Sequence, residues 1–202
     1  MSAQGSPDPV AAAQPMETLR RFTTDYVATE DRIRIRGELA SGDKQVFWLT
    51  RPLLDRLVRA LAAWLERSGA GSSAAPAADA AANPAREMAA QRFAQQAARA
   101  SLDRHEPVLA EARTANWLVR SIDLSQNRRE VRLTFKSYDR PADAAAQPGD
   151  AAAGVAMVPP VLRQWLGILH DKYREAGWPA GAFPSWIGEA GAASAARPVT
   201  LH

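Results

Sequence analysis

Apolar and polar residues alternate along two stretches of the chain with a period of two. Ile33, Ile35 and Leu39 share one parity, while Arg32, Arg34, Arg36 and Glu38 share the other. That is the pattern of a strand with one buried face, and it predicts a strand over 31–39. The second stretch is 130–136, with Val131, Leu133 and Phe135 in and Arg132, Thr134 and Lys136 out. Between 45 and 50, Gln-Val-Phe-Trp-Leu-Thr carries apolar residues on both parities, which predicts a strand covered on both faces. Further strands are expected at 19–28, 116–124 and 154–158. Ala40-Ser41-Gly42-Asp43 and 125–129 read as turns.

The period then changes to three and four. Leu54, Leu57, Val58, Leu61 and Leu65 line one face of a helix expected over 52–67, opened by Thr50 and Pro52. Leu162, Trp165, Leu166, Leu169 and Tyr173 do the same for a helix over 160–176, opened by Pro159-Pro160 and stopped by Gly177. A third helix, 85–102, rests on propensity, with a thin apolar stripe of Met88, Phe93 and alanines. Together these elements predict an α+β fold: an antiparallel β-sheet or sandwich covered by two to three amphipathic helices. Strand, proline turn and helix recur at Arg51-Pro52-Leu53-Leu54 and Pro159-Pro160-Val161-Leu162, either by duplication or because two turns met the same steric demand.

The order of strands, paired helices, strands and a final helix resembles the head domains of the eukaryotic end-joining scaffold proteins that hold DNA ligase. The resemblance covers about residues 19 to 175 and rests on element order. It implies a β-sandwich with a helical pair and carries over no functional residue.

Composition then trims the domain. Residues 1–16, 68–84, 141–154 and 188–202 are rich in Ala, Pro, Gly and Ser. Such segments bury too little apolar surface to offset the entropy of ordering them. They are expected as a disordered N-terminus, two flexible insertions and a tail around one domain at 17–187. The chain has 202 residues and no cysteine, which excludes disulfides and thiolate metal sites. No signal peptide and no run long enough for a bilayer is evident, so a cytoplasmic location is expected. The net charge of +3 is small, and Arg-rich, Lys-poor usage fits a GC-rich genome.

Candidate chemistry is sparse. His105, His170 and His202 show no metal-ligand spacing, and no nucleophile-elbow or phosphate-loop pattern occurs, so no catalytic residue, metal or cofactor is assigned. His170 reads as a surface residue. Two surfaces remain. Trp178, Phe183 and Trp186 sit in a proline-stiffened segment beyond the last helix, either packed on the domain's own core or serving as a docking segment for another protein. Arg32, Arg34 and Arg36, joined by Arg132 if the two strands are neighbours, would form a basic face for nucleic acid or another polyanion. That face shows no aromatic residue for stacking bases, and Trp48 reads as core. The sequence therefore points first to a non-catalytic interaction or assembly module, with polyanion binding as an alternative and an enzyme with an unrecognised site as a third reading.

Overall fold

The computed structural model describes residues 17–70, 84–102, 105–137 and 152–188. Most of the four trimmed segments lie outside those residues, but four of their boundaries move. The first helix runs on to Ala70, the second begins at Pro84, the last strand begins at Ala152, and residues 185–188 form a helical turn. The fold is α+β, as the periodicities predict. Chain order is β1 (Glu17–Val27), β2 (Arg32–Leu39), β3 (Lys44–Leu49), α1 (Arg51–Ala70), α2 (Pro84–Ala100), β4 (Ala115–Gln126), β5 (Val131–Ser137), β6 (Ala152–Met157) and α3 (Pro159–Glu175).

The six strands close into a barrel in sequence order. Each half is an antiparallel meander, β1-β2-β3 and β4-β5-β6. Two parallel seams join the halves: β3 with β4 over Gln45–Trp48, and β6 with β1 at Glu17 and Thr18 among the described residues. Such closure needs strands that pass from one sheet to the other, and bulges provide the bend. They fall at matching places. The register shifts between Leu19 and Arg21 in β1, and between Val119 and Ser121 in β4.

The inward parity fills the barrel. Ile33, Ile35, Phe47, Leu49, Val131, Leu133, Phe135, Val155 and Met157 are all buried. Phe47 and Phe135 meet at 5.1 Å between ring centroids. Gly37 is also inward, and a Cβ there would come within 2.2 Å of Leu19 Cδ2, so glycine makes room for that leucine. The helices add their stripes to the same core, with Leu54, Val58 and Leu61 of α1 answered by Leu162, Leu166 and Leu169 of α3. The first helical bonds, Leu54 N–H to Thr50 O and Leu162 N–H to Val158 O, stand at equivalent points. The halves thus share strand order, bulge position, seam geometry and the strand-to-helix turn.

Candidate functional site

The tail segment begins at a helix end. Gly177 has φ of +66°, a conformation that costs other residues dearly. Trp178 N–H bonds Tyr173 O at 2.9 Å and Gly177 N–H bonds Arg174 O at 3.1 Å, which is a Schellman cap. It turns the chain back so that Trp178 meets Tyr173 edge to face at 5.1 Å. Trp178 is 9% exposed and Trp186 1%. Each indole N–H finds a carboxylate, Trp178 on Asp31 Oδ1 at 2.9 Å and Trp186 on Glu66 Oε1 at 3.0 Å. Phe183 is half-buried, 4.9 Å from Tyr173 and 5.2 Å from His170. The three aromatics are brought together, but as part of the core and not as a free surface. An aromatic-rich tail reads the same in sequence whether it docks inward or outward, and the acceptors Asp31 and Glu66 carried no signal of their own. His170 is half-buried beneath Phe183, unlike the surface residue the sequence suggested.

The arginines separate into two sets. β2 and β5 lie on opposite sides of the barrel, so Arg132 does not join Arg32, Arg34 and Arg36. Arg132 is half exposed and lies 3.6 Å from Glu130. On β2, Asp25 of the adjacent strand reaches Arg36 at 2.9 Å and Arg34 at 3.5 Å. The segment 105–111 crosses the outside of this sheet. Val108 N–H bonds Thr23 Oγ1 on β1, and Glu111 pairs with Lys44 on β3, each at 2.9 Å. Lys44 holds the Glu111 carboxyl below the usual carboxylate range. Val108 is buried, and so is the outward Val46 of β3, which accounts for apolar residues on both parities of that strand. An aromatic ring does stand on this face. Trp48, expected in the core, points outward, partly exposed, with the Arg34 guanidinium 5.7 Å from its ring centre.

The helix α2 is inverted relative to its apolar residues. Its buried side is Gln91, Ala94, Gln95, Ala98 and Arg99, while Met88 is exposed and Phe93 is 74% exposed. It docks on α3 through polar bonds. Gln95 Nε2 donates to Arg163 O at 3.0 Å, Gln164 Nε2 donates to Ala98 O at 3.1 Å, and Arg99 pairs with Asp171 at 2.7 Å. Arg163 donates to Gln91 and lies 4.9 Å over the Trp186 ring. Burial pushes its guanidinium below the ordinary arginine value, against Glu66, which supports the charge. Gln95 Oε1 and Arg163 Nη1 have no partner among the described residues. His170 and Arg99 beside Asp171 hold that carboxyl below its ordinary value.

Among the described residues no three His, Asp or Glu side chains gather as a metal site, and no helix is long and apolar enough to cross a membrane. A surface depression of about 250 Å³ lies at the β4–β5 turn, lined by Ser125, Gln126, Asn127, Glu130 and Arg132. Compared with family profiles, curated proteins and solved structures, the chain has no match.

Proposed function

We propose that this protein is a non-catalytic interaction module that binds another protein through the outward face of α2. The observation that carries this reading is the orientation of Phe93. A helix free to choose would bury its phenylalanine and expose its glutamines. This one does the opposite, spending polar contacts with α3 to hold Phe93 outward. Rigid aromatics presented in that way are efficient contact residues.

Phe93→Asp tests the reading, because an exposed side chain contributes within about 0.5 kcal/mol to stability. The variant should melt with the wild type and lose the protein that co-purifies with the wild type from its native cell. Retention of that partner by the folded variant would overturn the assignment.

A second reading has one observation in its favour. Trp48 beside Arg34 and Arg32 offers a stacking ring and positive charge on one sheet face. Binding of a polyanion there would weaken steeply with added salt. Asp25 and the 105–111 strap reduce the charge and area open to such a ligand, so protein binding is preferred.

A further inference from the structure

The two halves of the barrel treat their bent strands differently. Beyond Thr18, β1 leaves β6, and α3 covers what is left. Trp165 Nε1 donates to Thr24 Oγ1 at 3.1 Å, and its ring packs on Phe22 at 5.8 Å. Beyond Leu118, β4 leaves β3 in the same manner. There α1 reaches only the far end, with Trp64 Nε1 on Asn127 O at 3.2 Å and Arg67 near Gln126 Oε1 at 3.5 Å. No residue from Arg120 to Gln126 is buried.

The backbone phase of that edge follows from the turn. Asn127 N–H donates to Glu130 O at 3.0 Å, which makes 127 and 130 a bonded pair. Bonded pairs alternate along an antiparallel ladder, so Ser125, Asp123 and Ser121 face β5. The N–H and C=O groups of Ile122, Leu124 and Gln126 point the other way. Among the described residues none pairs with them, and such a row of donors and acceptors at every second residue is complementary to another strand and to little else. Charge narrows the choice. Arg67, Arg128 and Arg129 are exposed around the end of the edge, and Arg132 helps line the depression beside it.

We propose that the β4 edge, Ile122 to Gln126, binds an acidic extended peptide as an added β-strand, with an acidic side chain of the peptide at the β4–β5 turn. This site is separate from the α2 face and does not depend on it. One side of the added strand meets Ile122 and Leu124; the other meets Ser125 and the Asp123–Lys136 pair, closed at 2.7 Å.

A fluorescein-labelled octapeptide of alternating valine and glutamate, titrated with the full chain, is the probe. Saturable binding is expected, with a lysine-for-glutamate version about tenfold weaker. N-methylation of alternate peptide nitrogens should abolish binding in one register and spare it in the other, since only one edge of the peptide faces β4. Leu124→Pro removes an outward N–H, and should weaken binding by about tenfold or more. If that variant fails to fold, the two methylated peptides still decide. Absence of saturable binding, or equal loss in both methylation registers, would overturn the proposal. So would displacement of the peptide by a thymidine dodecamer at equal affinity, which would mark a polyanion surface instead. Phe93→Asp should bind the peptide as the wild type does; loss there would place the peptide on α2 and overturn the edge assignment while leaving the α2 reading intact.

Discussion

Gly177 is a single residue on which the placement of ten others turns. Its positive φ sends Trp178 back onto Tyr173, and the segment to Ile187 follows. Gly177→Ala should cost about 1 kcal/mol, read as a lowered midpoint in urea unfolding. Asp31 completes the latch from the other side. It has φ of +47° itself and accepts from both Tyr26 Oη and Trp178 Nε1, each at 2.9 Å. Tyr173 sets a pH limit. Burial first, then the bond from its hydroxyl to Asp55 at 3.0 Å, push its pKa above the ordinary tyrosine value. The folded state therefore favours the neutral phenol. The stability this contributes is fully present below pH about 10 and is lost as pH rises beyond it. Tyr173→Phe should flatten the alkaline fall in unfolding free energy between pH about 9 and about 11.5. Gly177 was legible in sequence as a stop. The acceptor role of Asp31 was not, because its two donors lie five and 147 positions away.

At the scale of elements, strands and helices with strong periodicity could be read directly, and α2 could not. The alternation in β2 and β5 and the stripes of α1 and α3 each state a buried face in their own residues. The helix α2 turns its phenylalanine outward and buries Gln95, so a rule that ranks residues by hydrophobicity selects the wrong face. What decides is Arg163 on α3, which has to be met by polar groups once it is buried. The same helix gives a comparison of variants. Gln95→Ala removes the bond that Gln95 adds to the Arg163 carbonyl, which α3 already holds, and should cost about 1 kcal/mol. Phe93→Ala, a loss of far more apolar surface, should change stability by no more than about 0.5 kcal/mol. Urea unfolding of the two variants side by side checks the ranking, and the reverse order would show that α2 is held by its apolar residues.

For the molecule as a whole, the sequence showed two similar halves but not how they meet. Strand order within each meander is local, whereas the parallel seams depend on the three-dimensional course of β1 and β4. The bulges that bend those strands are single extra residues, Arg20 and Arg120, with no mark of their own. Hence the basic residues of β2 and β5 could not be assigned to opposite sides, and the uncovered β4 edge could not be foreseen.

The unequal seams also order events in time. Each meander joins neighbours along the chain and forms early, but the contact of Glu17 with Ala153 closes a loop across most of the molecule. Among the described residues two pairs fasten that hoop, against four at β3 and β4. The barrel is a ring whose clasp joins the strands most distant in the chain, and that clasp is expected to shut last on refolding, read as late protection of the Thr18 and Gly154 amides in pulsed hydrogen exchange.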